Sequence, residues 1–197
     1  MRIIAGSWKG RQLEVPPGIR PMQDRERERL FGILGEQVQD AVFLDCFAGS
    51  GAIGLEALSR GARLCTFVEN GRRVLPVLRR NLELCGAGER GFLLSITAFG
   101  LHKSGEPGQG AVDVAVCAPP FPLLEDAALR ARFETLFGYV ARGLLAPGGC
   151  LVLEHSARLE PPSLGHAQGP KTPYRTVQTA ASALSFYRKP DPASAGA

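Results

Sequence analysis

"LDCFAGSGAIGLEAL", residues 44–58, decides the fold class. An apolar run, "AVFLD" (41–45), leads into Gly49-x-Gly51-x-x-Gly54, and a helical pattern of about 52–60, closed by Gly61, follows. A strand, a glycine turn and a helix in that order make the nucleotide-binding fingerprint, in which glycines let the backbone approach a ligand closely. The same glycines would serve a tight turn of positive φ. Glu69 separates the two readings: it ends the next apolar run, "LCTFVE" (64–69), about 20 residues on, where such folds keep an acid for ribose hydroxyls.

The alternation continues outward from this core. "GFLLSI" (91–96), "VDVAVC" (112–117) and "CLVLEHS" (150–156) read as strands, with helices predicted over about 71–85 and 125–143 and an "APGG" turn at 146–149. "TAASALSFYR" (179–188) reads as a last strand after a stretch, 157–174, rich in Pro and Gly. Strand–helix alternation predicts an α/β, doubly wound, mostly parallel sheet. Two closing strands without a helix between them predict an antiparallel hairpin at one edge. Upstream, "RIIAGSWKGRQLEV" (2–15) predicts a β-hairpin around Gly6 and Gly10, "PPGIRP" (16–21) a linker, and Asp24 the N-cap of a helix to about Leu34. The expected division is 1–21 as hairpin and linker, 22–188 as the main domain and 189–197 as a disordered tail.

Composition excludes several classes. The 197 residues are 45% hydrophobic and 21% charged, ordinary for a soluble globular chain. No apolar run is long enough for a membrane helix, and the start lacks a signal-peptide pattern, so a mature cytoplasmic protein is expected. Five cysteines, an odd number without a C-x-x-C pair, and three scattered histidines argue against a metal site or a disulfide framework. The net charge is +4, and the first 29 residues hold seven Lys and Arg against four Asp and Glu. Arg2, Lys9, Arg11, Arg20, Arg25, Arg27 and Arg29 could meet phosphates, with Trp8 stacking on a base. A solvated helix face and a Trp packed on the core are the competing reading.

Two cofactors compete for the glycine loop. In a dinucleotide fold the strand runs straight into the first glycine and a pyrophosphate rests on the helix N-terminus. Here Asp45 ends the strand, and Cys46, Phe47 and Ala48 intervene before Gly49. A carboxylate there repels a pyrophosphate and suits a cationic amino-acid end, which favours S-adenosylmethionine over NAD. The tip "CAPPF" (117–121) of the fourth strand belongs to the same end of the sheet, where open α/β folds bind ligands. Prolines fix φ and remove N–H groups, leaving carbonyl oxygens that cannot drift. Such acceptors could orient an exocyclic amine while Phe121 stacks on a planar base. A strand terminator followed by a core aromatic would look the same.

Taken together, "MRIIAGSWKGRQL", "RPMQDRERERLFGIL", "FLDCFAGSGAIGLEALSRGA", the Pro-Pro-Phe tip and the ending "ALSFYR" resemble the bacterial 16S rRNA guanine-N2 methyltransferases of the RsmD type. The resemblance implies a Rossmann-like class I methyltransferase with a seven-stranded sheet and a small N-terminal hairpin that meets RNA. It implies methyl transfer from S-adenosylmethionine to one guanine of 16S rRNA or the assembling small subunit; a monomer without metal is expected. Asp45, Phe47, Ala48, Gly49, Gly51, Glu69, Asn70, Thr97 and Ala98 would then hold the cofactor. Ala118, Pro119, Pro120 and Phe121 would form the catalytic tip, and Arg2, Lys9, Arg11, Arg20 and Arg25 would contact RNA. Three positions depart from the family pattern: Ala118 replaces an Asp or Asn, "RPMQ" (20–23) replaces "RPTT", and Thr97 stands where an acid or amide faces the adenine. With Ala118, activity through the Pro119 carbonyl, help from Asp24 or Glu28, and RNA binding without turnover all stay open. An adenine-N6 methyltransferase is the nearest rival within the fold.

Overall fold

The computed structural model describes residues 1–164, 172–179 and 182–191. Seven strands form one sheet in the order β3-β2-β1-β4-β5-β7-β6. The chain divides into two compact units, Met1–Ala98 and Phe99–Ala197.

In the first unit, β1 (Val42–Cys46), β2 (Leu64–Val68) and β3 (Gly91–Leu94) run parallel, linked by α2 (Ala52–Ser59) and α3 (Leu75–Cys85). β1 is buried along its whole length, Asp45 included. That is the signature of a strand covered on both faces. α1 (Asp24–Leu34) buries Leu30, Phe31 and Leu34 and exposes Arg25, Glu28 and Arg29. Its N-cap is Gln23, which forms a capping box with Glu26; the expected Asp24 instead pairs with Arg27 at 2.8 Å. α3 starts at Leu75, later than predicted, because the Glu69 carboxylate takes the N–H groups of Asn70 and Gly71 and a turn over Gly71–Val74 comes first.

The N-terminal hairpin shrinks to a single bridge, Arg2 with Gln12. Gly6 and Gly10, both at positive φ, turn the chain. The N–H groups of Ile4 and Ala5 leave the ladder for the buried carboxylate of Glu56 on α2, at 2.7 and 3.0 Å. Gly6 lies so close to the Ser59 carbonyl that no Cβ fits there.

In the second unit, β4 (Val112–Cys117) pairs in parallel with β5 (Leu145–Ser156), and β7 (Ser182–Arg188) lies antiparallel between β5 and the exposed β6 (Arg175–Gln178). The predicted antiparallel edge is therefore present, with an extra strand beside the Pro- and Gly-rich stretch. The helix predicted over 125–143 is three pieces: α4 (Phe121–Glu125), α5 (Ala127–Tyr139) and a π-helical turn, Val140–Leu144. Asp126 breaks it by going extended and capping α5 through the Leu129 N–H. The "APGG" turn is absorbed into β5. Lys189 is tied to Gly149, and 192–197, most of the expected tail, lies outside the described residues.

Candidate active site

The glycine loop is held from three sides. Gly49 and Gly51 take φ of +56° and +80°, and Phe47, at +64°, is one of two described residues other than glycine in the left-handed region. Strain of this kind persists only where the surroundings enforce it. Glu69 supplies one restraint: Oε2 accepts the Gly49 N–H at 2.9 Å while Oε1 accepts those of Asn70 and Gly71. A carboxylate offers roughly four acceptor sites, so an acceptor position remains after these three bonds.

Asn81, on α3 and fully buried, supplies the second restraint. Its Nδ2 donates to the carbonyls of Ser50 and Glu14, and its Oδ1 accepts the Glu14 N–H. One amide thus ties the end of the N-terminal segment to the middle of the loop. The third restraint is Asp45, whose Oδ2 accepts the Gly54 N–H at 2.9 Å in the first turn of α2. Its Oδ1 is buried without a hydrogen-bond partner. Burial pushes the Asp45 carboxyl up to about 7, the Gly54 N–H opposes this, and the charge of Glu69 adds to it. An orphaned buried acceptor beside a helix N-terminus fits a cationic ligand group.

The three glycines do different work. A Cβ on Gly49 would meet nothing nearer than Ile19 at 3.8 Å, so this backbone is open to a ligand. A Cβ on Gly51 would sit 2.5 Å from a Leu78 methyl, and one on Gly54 would collide with the Phe67 ring and the Cys65 sulfur. Gly51, expected to face the ligand, is also required by packing against Leu78 of α3. Of the remaining expected residues, Ala48 is buried with its N–H on the Val68 carbonyl, Asn70 and Thr97 are exposed, and Ala98 is buried at the start of a 3-10 turn, Ala98–Lys103.

At the tip, Pro119 is buried, Ala118 and Phe121 are half-buried and Pro120 is exposed. The Pro119 carbonyl accepts no hydrogen bond among the described residues, but that of Pro120 accepts the Leu123 N–H at 2.9 Å. One of the two proline carbonyls is therefore already engaged, because Pro120 caps α4.

The basic N-terminus is less free than its composition suggests. Arg27 is fully buried, donating to the carbonyls of Met22 and Arg2 and to Asp24, and so cannot meet a phosphate. Arg11 donates to the Leu84 carbonyl, Arg2 lies 3.7 Å from Asp24, and Trp8 carries the Arg90 guanidinium over its ring. Lys9, Arg20 and Arg25 are exposed. Asn81 and Glu56 escaped the sequence reading. Glu56 had a signal, a lone charge in the otherwise apolar "AIGLEALS"; Asn81 had none.

These features define a class I methyltransferase fold with a glycine-loop site. A sequence profile for the family described as Conserved hypothetical protein 95 matches residues 1–184. The chain belongs to that family, the RsmD-type methyltransferases. It is 46% identical over 123 residues to ribosomal RNA small subunit methyltransferase D of Escherichia coli (strain K12), a match covering 61% of this chain and 60% of that protein. The chain thus spans about 60% of the length of that curated relative. The solved structure of Escherichia coli yhhF is similar over 96% of this chain and 98% of that one, with a TM-score of 0.78 and 33% identity. An RNA methyltransferase from Salinibacter ruber, solved with S-adenosyl-L-homocysteine, shares the fold at a TM-score of 0.58 and 17% identity, over 87% of this chain and 94% of that one.

Proposed function

We propose that this chain is an S-adenosylmethionine-dependent methyltransferase acting on the N2 amine of a guanine in small-subunit rRNA, as a monomer in the cytoplasm. The observation that carries the reading is the loop held between Asp45 and Glu69, with Gly49 open to a ligand. Family membership and the name of the Escherichia coli relative support the rRNA substrate. Asp45, Phe47, Ala48, Gly49 and Gly51 would hold the methionine part of the cofactor, Glu69 and Asn70 the ribose, and Thr97 and Ala98 the adenine. When bound, that cofactor supplies an electrophilic methyl on a sulfonium.

The tip residues orient the acceptor. The free Pro119 carbonyl accepts a hydrogen bond from the exocyclic amine, and Phe121 stacks on the base. If the amine takes the methyl from that sulfonium, it would shed one proton to water, since the Ala118 methyl cannot take it. Losing a proton-handling group typically costs about 10²–10⁴ in rate, so the chemistry is slowed while position and alignment remain. Residues 1–21, through Arg2, Lys9, Arg11 and Arg20, would contact RNA, joined by Arg25 on α1. A second reading, cofactor and RNA binding without turnover, is favoured by Ala118.

The test is transfer of labelled methyl to small subunits from cells lacking this gene, run beside Ala118→Asp, with the product identified by mass. N2-methylguanine from the natural chain supports the enzyme. Product from the Asp variant alone supports a pocket that has lost its chemistry. Silence from both, with S-adenosylhomocysteine still bound, rejects the methyltransferase assignment for this substrate.

A further inference from the structure

The second unit contains a cavity of about 810 Å³ lined by Phe99, His102, Lys103, Arg132, Tyr139 and Arg142 among others, with no acidic residue in its wall. It lies at the opposite end of β4 from the Pro-Pro-Phe tip. Gly110, just before β4, donates to the carbonyl of Gly143, a wall residue just before β5, at 2.8 Å. The cavity therefore sits at the amino ends of β4 and β5. The tip Pro119-Pro120-Phe121 leaves the carboxyl end of the six-residue β4, roughly 20 Å away at about 3.3 Å per residue.

None of the ion pairs among the described residues uses Lys103, Arg132 or Arg142. Arg132 lies 4.6 Å over the Phe99 ring. The Arg142 guanidinium lies against Gly138, where a Cβ would come within 2.9 Å of it. Arg142 itself rides on the π-helical turn Val140–Leu144, a distortion that is frequent at functional sites. Three exposed cations around one hollow repel one another unless an anion joins them. The ring of Tyr139, edge-on to His102 at 6.2 Å, adds an aromatic wall. A lone phosphate is far smaller than this hollow, whose volume falls within the range of roughly 300–1,000 Å³ typical of ligand pockets.

We infer that this cavity is a second RNA contact, seating one unpaired nucleotide of the substrate strand with its phosphates on Lys103, Arg132 and Arg142 and its base against the aromatic wall. The inference rests on the reading of this chain as an enzyme that acts on RNA. It extends that reading from the first unit, where the basic residues of the sequence cluster, to the second.

The experiment measures binding of a small-subunit rRNA transcript to the full chain and to K103Q/R132Q/R142Q, by fluorescence anisotropy across a salt series. Each phosphate contact contributes about 0.7 to the slope of log K against log salt for a single strand. The triple variant should therefore flatten the slope by about 2 and lose on the order of tenfold or more in affinity near 0.15 M salt. Its unfolding midpoint and its affinity for S-adenosylhomocysteine should match the natural chain. A triple variant with the natural slope overturns the proposal. So does micromolar binding of guanosine monophosphate, abolished in the variant while its RNA slope stays natural, which would make the cavity a site for free nucleotides. Methyl transfer on the same samples separates the two readings. A natural slope in the variant with transfer intact removes the pocket alone. A flattened slope with no transfer by the natural chain supports the pocket and removes the methyltransferase reading.

Discussion

The glycine loop and the Pro-Pro-Phe tip both follow a buried parallel strand, yet they are made rigid in different ways. At the loop, polar side chains from distant parts of the chain converge: Glu69 on Gly49, Asn81 on Ser50 and Glu14, Asp45 on Gly54. At the tip, rigidity is local, supplied by two proline rings and the first turn of α4. A site held by long-range ties is coupled to global stability. One held by its own covalent geometry can change chemically at little cost to the fold. Ala118 falls in the second kind of place.

The sharpest way to break this comparison is Gly6→Ala. The new methyl would run into the Ser59 carbonyl at a φ of +80°, combining overpacking of about 1–3 kcal/mol with a left-handed penalty of about 1–2 kcal/mol. A urea midpoint shift worth about 2–5 kcal/mol is expected, together with weaker S-adenosylhomocysteine binding, because the N-terminal segment reaches the loop through Glu14 and Asn81. Loss of stability with the loop's affinity intact would show the segment to be uncoupled from it.

Next comes pH. The Asp45 carboxyl is raised from 3.8 to about 7, chiefly by burial. The folded state therefore holds this proton more tightly than the unfolded chain does. The stability it contributes is complete below about pH 4 and is lost as pH rises through about 7, at about 1.4 kcal/mol for each pH unit in that window. Denaturation in steps from pH 4 to 8 should show that decline, up to about 4 kcal/mol, and Asp45→Asn should flatten it. An equal decline in Asp45→Asn would assign it to other groups.

Asn81→Ala follows, at about 1–3 kcal/mol, since it strands backbone groups at Glu14 and at the buried Ser50. It also marks the limit of what the chain reveals in one dimension. The strand, glycine turn and Glu69 were legible because the structure joins them across 20 positions with a fixed strand–turn–helix geometry. Asn81 reaches Glu14 across 67 positions, and Ile4 reaches Glu56 across 52. No local period reports such pairs. The basic N-terminus misled for the same reason: Arg27 falls on the helix face that burial claims, and its charge is consumed by Asp24 and two carbonyls. The cationic cavity was invisible because its wall is assembled from Phe99 to Gly143 out of single residues spaced along a turn and a helix.

The smallest expected effect lies at the tip. Ala118 is half-buried, and its neighbour's carbonyl, Pro119, accepts no hydrogen bond among the described residues. Ala118→Asp should therefore move the urea midpoint by no more than about 0.5 kcal/mol, the range of substitutions away from packed or bonded sites. If it also restores or raises methyl transfer, the tip is a chemical module that the fold tolerates in either form. If it costs about 2 kcal/mol or more, on the scale of a polar group buried without a partner, then Ala118 is fixed by packing. The loop and the tip would then be held by the same kind of constraint, and the contrast between them would fail.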